Sequence, residues 1–243
     1  MVLVWVILWD QQLLLGNFMF LLTGASGGIG YDLFKELSKN NFVIGICNTK
    51  QKEEFHNGKL INIDLLDHEK IKNFVKDYKN YFDQITLIQL AVISIDGLIA
   101  NYSIEDARKT FELNILSNFV MVQNLLPIMI SQGWGRIIHC SSIIGNEGAR
   151  GAGIYSSSKS ALKGYSKSLS KEYGRFGITS NIIELGYFEK GLINNFSHEK
   201  VKKIISETSS KRLGNKHDLI EAINFIKNSN FFNGEILRLN GGR

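Results

Sequence analysis

Apolar residues recur along this chain in two rhythms. Short runs that are apolar at nearly every position occupy Asn17–Leu22, Phe42–Cys47, Leu60–Ile63, Ile85–Ala91, Arg136–Ser141, Thr179–Glu184 and Glu235–Leu239. Between them lie stretches whose apolar residues return every three or four positions: Gly28–Asn40, Asp67–Tyr81, Ser103–Ser131, Tyr155–Arg175 and His217–Lys227. Runs apolar on both sides of a period of two are strands buried on both faces, and the second rhythm is that of helices with one apolar stripe. Strands alternating with such helices predict a parallel sheet covered by helices on both sides.

Crossovers between parallel strands are right-handed, so the pattern predicts an α/β fold, a Rossmann-type doubly wound sheet of about seven strands. Helix starts agree. Asp67 precedes "HEKIKNF", and Ser103 opens "SIEDARKTF" with Asp106 placed for a capping box. No repeat, low-complexity tract or linker divides the chain, so residues 17–243 are expected to form one domain. Residues 1–16, "MVLVWVILWDQQLLLG", are an apolar extension. It is too short before Asp10 to span a bilayer and has neither a basic segment nor a cleavage site for a signal peptide. It is read as an appended arm or the product of an upstream start, with a membrane or partner contact as the alternative. No integral membrane segment is expected.

The loop "TGASGGIG" follows the first strand and opens the first helix, with Gly24, Gly28 and Gly30 at its turns. Free backbone N–H groups at a helix start, with no side chain in the way, are what a phosphate needs. The spacing, Gly24-x-x-x-Gly28-x-Gly30, differs from the common G-x-G-x-x-G. Thr23 and Ser26 can fix the turn and Ile29 can pack beneath it.

Composition narrows the partners. Of the 243 residues 44% are apolar and 21% charged, and the net charge of +5 is spread without basic runs. That argues against nucleic acid as a partner. Two distant cysteines, Cys47 and Cys140, form neither a disulfide framework nor a metal pattern, so a reducing, cytoplasmic compartment is expected and no metal.

Further along stand Asn114 in "FELNILSNF", Ser142 in "HCSSIIG", and Tyr155 and Lys159 in "YSSSK". Tyr155 and Lys159 share one helix face. A lysine ammonium beside a phenol favours phenolate, which would bring a tyrosine toward acid–base work at neutral pH. Ser142, at the end of a strand, is placed to hydrogen-bond a carbonyl. Taken singly, Tyr155 also suits packing, Lys159 a solvated charge, Ser142 a turn and Asn114 a local helix bond.

Together with the glycine loop, these four residues resemble, in order and spacing, the tetrad of the short-chain dehydrogenase/reductase family. Within it the chain is most similar to 3-oxoacyl-carrier-protein reductases. The resemblance runs from about Asn17 to Gly242. It implies an enzyme that reduces a ketone to a secondary alcohol, or the reverse, with a nicotinamide cofactor. Tyr155 would protonate the carbonyl oxygen, Ser142 orient it, and Asn114 hold a relay water. Lys159 would lower the tyrosine and bind the nicotinamide ribose. It also implies cofactor contacts at Thr23, Gly24, Ser26, Gly28, Ile29, Gly30, Ala91 and Gly186, with Asp64 and its neighbour Leu65 at the adenine. The second strand ends "CNTK" without the carboxylate that would repel a 2′-phosphate, and Asn48, Thr49 and Lys50 can bind one. NADP(H) is therefore expected over NAD(H).

The chain departs from the family in "QLAV", where Val92 replaces a glycine, and in "LGYFEKGLI", where Lys190 replaces a threonine near the nicotinamide. Residues 187–213 are expected to form a substrate lid. The substrate is expected to be a small carbonyl or alcohol, with a 3-oxoacyl thioester on an acyl carrier protein as one form; Arg136, Arg150 and Arg175 are read as solvated arginines by default, with contact to an acidic carrier as the alternative. A sugar or polysaccharide-precursor ketone, or a nucleotide-binding scaffold with little turnover, are the alternatives. A homodimer or homotetramer is implied by the family.

Overall fold

A computed structural model describes residues 19–49 and 55–243. The extension at 1–16, the expected strand start at Asn17 and the candidate Lys50 lie outside the described residues. The sheet has seven parallel strands: β1 (Met19–Thr23), β2 (Phe42–Cys47), β3 (Gly58–Asn62), β4 (Ile85–Gln89), β5 (Gly135–Ser142), β6 (Ile178–Leu185) and β7 (Ile236–Leu239), in the order β3-β2-β1-β4-β5-β6-β7. The order reverses beside β1, which puts a crevice at the carboxyl ends of β1 and β4.

The helices are α1 (Gly28–Leu37), α2 (His68–Tyr78), α3 (Ile104–Phe111), α4 (Ser117–Gln132), α5 (Ile144–Glu147), α6 (Gly153–Tyr173), α7 (His198–Glu207) and α8 (Lys216–Asn228). Alternation along each strand feeds two cores. On β1, Met19 and Leu21 point to a layer with Ile71 and Phe74 of α2, Leu125 and Met129 of α4, and Leu169 of α6. Phe20 and Leu22 point to the other layer, with Leu33 and Phe34 of α1 and Leu219, Ile223 and Ile226 of α8. Each such side chain, fully buried, contributes about 1.5–3 kcal/mol.

The long helical pattern Ser103–Ser131 is three pieces. Ser103 caps α3 through Asp106 N–H, a π-turn spans Glu112–Leu116, and α4 follows, continuing past Pro127. By length and composition Ile104–Gln132 is apolar enough to cross a bilayer, and half of its apolar window is buried in the fold. Its composition is accounted for by α4 packing on the sheet. Asp67 caps α2 as its position predicts. Two helices escaped the periodicity: α5, a single turn, and α7, whose stripe is short. Asn215 and Asp218 form a capping box at the start of α8, at the Asn-x-x-Asp spacing the sequence carries there.

Arg136 is corrected. As a candidate contact for an acidic partner it needs exposure, but it is 2% exposed in β5. Its guanidinium donates to the carbonyls of Gly135 (2.7 Å), Gly177 (2.9 Å) and Lys227 (3.0 Å) and to Asn230 Oδ1, and stacks on Trp134. It closes the amino end of β5 against the end of α8, where helix carbonyls favour a cation. Arg136→Met keeps the stem but orphans these acceptors. It is expected to lower stability by about 3 kcal/mol in urea unfolding; a loss under about 0.5 kcal/mol would show that the clasp does not hold the sheet edge.

Candidate active site

The glycine loop turns where backbone meets backbone. Gly24 has φ +77°, and a Cβ there would stand 2.8 Å from Ala91 N. Thr23 Oγ1 accepts from the same Ala91 N–H at 3.2 Å, tying β1 to the end of β4. Gly28 has φ +54°, and a Cβ on Gly30 would stand 2.1 Å from Gly24 O. Only glycine permits these approaches at Gly24 and Gly30. Helix α1 starts after an extended Gly27 with no side-chain cap and no acidic residue in its first turn. Its first N–H groups therefore have no side-chain cap, and the helix dipole there favours an anion.

The other expected cofactor residues are distributed around this cradle. Asn48 and Thr49 are exposed at the carboxyl end of β2. Asp64 Oδ1 accepts from Leu66 N–H at 3.0 Å, an Asx-type turn leading to the Asp67 cap. Leu65 sends its side chain into the core, at 7% exposure. Ser26 in the loop and Ile29 in the first turn of α1 are half-buried. Gly186 has a structural reason to be glycine: a Cβ would stand 2.8 Å from Asn240 Cα, where the chain's last turn packs on β6.

Ser142 ends β5, and Tyr155 and Lys159 lie one turn apart on α6, which packs alongside it. Gly145 in α5 allows that approach, since a Cβ there would stand 2.8 Å from Lys159 Cβ. Tyr155 is buried at 7% exposure. Burial pushes its phenol up to about 12, against a hydrogen bond with Ser142 that draws it down. The expectation that Lys159 lowers it is thus corrected. The Lys159 ammonium donates instead to Cys140 O at 2.7 Å and stands 6.0 Å from the Tyr155 ring centre. Burial in turn lowers Lys159 to about 8.

Asn114 sits in the π-turn, a distortion often found at functional sites. Its Oδ1 accepts from Ile93 N–H (2.9 Å), and its amide donates to Ile93 O (3.0 Å) and to Ser158 Oγ (3.0 Å). Ser158 donates to Tyr155 O at 2.7 Å. Both amide hydrogens thus brace the segment after β4 and the tyrosine helix. Ser158, the fourth residue of "YSSSK", belongs to this set and was missed; its spacing from Tyr155 on one helix face was the available signal.

A glycine turn at the switch point of a parallel sheet, with a hydroxyl and a buried phenol and lysine on and next to a neighbouring strand, is the arrangement of an α/β oxidoreductase. The chain belongs to the short-chain dehydrogenase family, whose sequence profile matches residues 19–201. It is similar to the 3-oxoacyl-(acyl-carrier-protein) reductase FabG of Haemophilus influenzae (30% identity, covering 91% of this chain and 96% of the relative). The FabG of Buchnera aphidicola subsp. Schizaphis graminum is 33% identical, covering 91% and 95%. Among solved structures, ElxO with NADP bound superposes with a TM-score of 0.83 at 26% identity, over 93% of this chain and 98% of that one.

Beneath the site, His139 on β5 is fully buried, its Nε2 3.2 Å from Ser180 Oγ and its ring against Tyr165. Burial, helped by Lys159, pushes it down to about 3. The folded state therefore binds fewer protons than the unfolded chain between about pH 3 and the ordinary histidine value near 6.5, so stability is lost as pH falls through that window. His139→Gln is expected to flatten the pH dependence of thermal unfolding there relative to the parent. Parallel curves for the two proteins would show that this histidine is not held neutral.

Proposed function

We propose that this chain is an NADP(H)-preferring reductase of a ketone, with a 3-oxoacyl thioester as the favoured substrate class. The observation that carries the reading is the buried Tyr155–Ser142 pair set over Lys159 beside the glycine cradle. When bound, the nicotinamide would supply or accept hydride. Gly24, Gly28, Ile29 and Gly30 would hold the cofactor's diphosphate, Asn48 and Thr49 its 2′-phosphate, and Asp64 with Leu65 its adenine end. Thr23, Ser26, Ala91 and Gly186 would line the path between, and Lys159 would reach the ribose.

Ser142 would orient the carbonyl oxygen and Tyr155 would give it a proton. A phenol pushed up to about 12 stays protonated at neutral pH, as a proton donor must, and an alkoxide is basic enough to take that proton. The phenolate left behind would be stabilised by the Ser142 hydrogen bond. Asn114 would position the tyrosine helix through Ser158.

The acyl-thioester reading is supported by the names of the relatives and by the apolar segment near α6. Leu98 and Ile99 are 48% and 66% exposed, and Ile99 lies over Gly153, two positions before Tyr155. Tyr187–Leu213, containing α7, would act as the lid over this apolar approach. Arg150 and Arg175 are exposed and would meet an acidic carrier protein. Exposed Phe119 and Phe225, on α4 and α8, fit pairing with further copies of the chain, and buried free Cys47 and Cys140 fit a reducing compartment.

Two measurements test this. Tyr155→Phe is expected to cut kcat for reduction of an acetoacetyl thioester by about 10²–10⁴-fold while NADPH binding is kept; full turnover would remove the tyrosine from the chemistry. Calorimetric titration is expected to show NADPH binding at least tenfold tighter than NADH, a difference of about 1.4 kcal/mol. Equal affinities would overturn the assignment of Asn48 and Thr49 to a 2′-phosphate.

A further inference from the structure

The segment Glu189–Gly191 lies across the glycine turn as a strap. A Cβ on Gly28 would stand 2.9 Å from Gly191 Cα, so the two backbones touch at the start of α1. The strap is anchored on its far side: Glu189 N–H donates to Gly214 O, and Gly214 N–H donates to Tyr187 O, each at 2.9 Å. From this strap Lys190 reaches α1, where its Nζ is 2.7 Å from Asp32 Oδ2 and 2.9 Å from Oδ1. The pair lines a cavity of about 380 Å³ between α1, the strap and the start of α8, which Ile29 of the glycine turn also lines.

The neighbouring carboxylate on α1 is differently placed. Glu36 is shared between Lys39 and Lys216, which lower it to about 2. Asp32 holds one partner among the described ion pairs, and that partner is 54% exposed. An exposed pair of this kind is weak and exchangeable. The start of α1 is uncapped, with the strap's lysine at its rim, and a diphosphate arriving there offers more negative charge than Asp32 does.

We propose that Lys190 is a cofactor-binding residue that pairs with the diphosphate of the bound dinucleotide, and that Asp32 holds it in waiting when the cofactor is absent. This inference rests on the dinucleotide reading of the glycine cradle. Binding then exchanges one ion pair for another and draws the strap onto the cofactor. Asp32 acts against affinity, because the lysine must leave it.

The test is calorimetric titration of the full chain with NADP⁺, for the parent, Lys190→Met, Asp32→Asn and the double variant, at two salt concentrations, with thermal unfolding of each as the check on folding. Lys190→Met is expected to weaken binding about fivefold and to reduce its salt sensitivity. Asp32→Asn is expected to tighten binding, and this gain is expected to vanish in the Lys190→Met background. If Asp32→Asn weakens binding as Lys190→Met does, the pair is a structural latch and the proposal fails. If Asp32→Asn tightens binding equally in both backgrounds, Asp32 merely repels phosphate and the proposal fails. Equal binding by all four proteins overturns it alone; no binding by the folded parent overturns the dinucleotide reading together with it.

Discussion

The structure depends on backbone packed against backbone at the carboxyl end of β1. Gly30 lies under the carbonyl of Gly24, Gly24 against Ala91, and Gly28 against Gly191. These contacts bring the first turn of α1, the end of β4 and the segment after β6 to one place. A methyl group at Gly24 or Gly30 would meet main-chain atoms, which cannot rotate aside as a side chain can. The same glycine-rich turn leaves the helix start without a side-chain cap, which suits it to an anion.

The candidate acid–base site rests on a second constraint, burial. Lys159 is taken out of water and given the Cys140 carbonyl, which fixes its ammonium by a hydrogen bond to main chain. Tyr155 is buried a turn earlier and kept protonated. Asn114 and Ser158 connect the π-turn to the helix that carries both. Low dielectric raises the value of each of these bonds, and the positions of Tyr155 and Lys159 follow from a polar network of buried side chains.

Much of this was legible in order along the chain. The two hydrophobic rhythms reproduce the strands and the long helices, because burial on both faces leaves a mark that needs no knowledge of neighbours. Phe42–Cys47 is bounded as its composition suggests, and Asp67 and Ser103 cap the helices they precede. The tetrad and glycine spacing identify the family. Less legible were α5 and α7, too short for a period to show, and the break of Ser103–Ser131 at a π-turn, which depends on what Asn114 can bond across the fold.

The sequence by itself determined the sheet, its helical layers and the set of chemical groups, since each is encoded in local periodicity or in residues a few positions apart. Only the tertiary structure decided the electrostatics and the long-range partners. Helical spacing puts Lys159 beside Tyr155, but burial and a carbonyl from β5 decide where the ammonium points and which way the phenol shifts. A basic residue in a strand reads as exposed charge, yet Arg136 finds four neutral acceptors that converge only when β5, β6 and the end of α8 are packed together. Lys190 reads as a departure from the family, and it is the fold that sets it against Asp32, far away in the chain and 2.7 Å away in space.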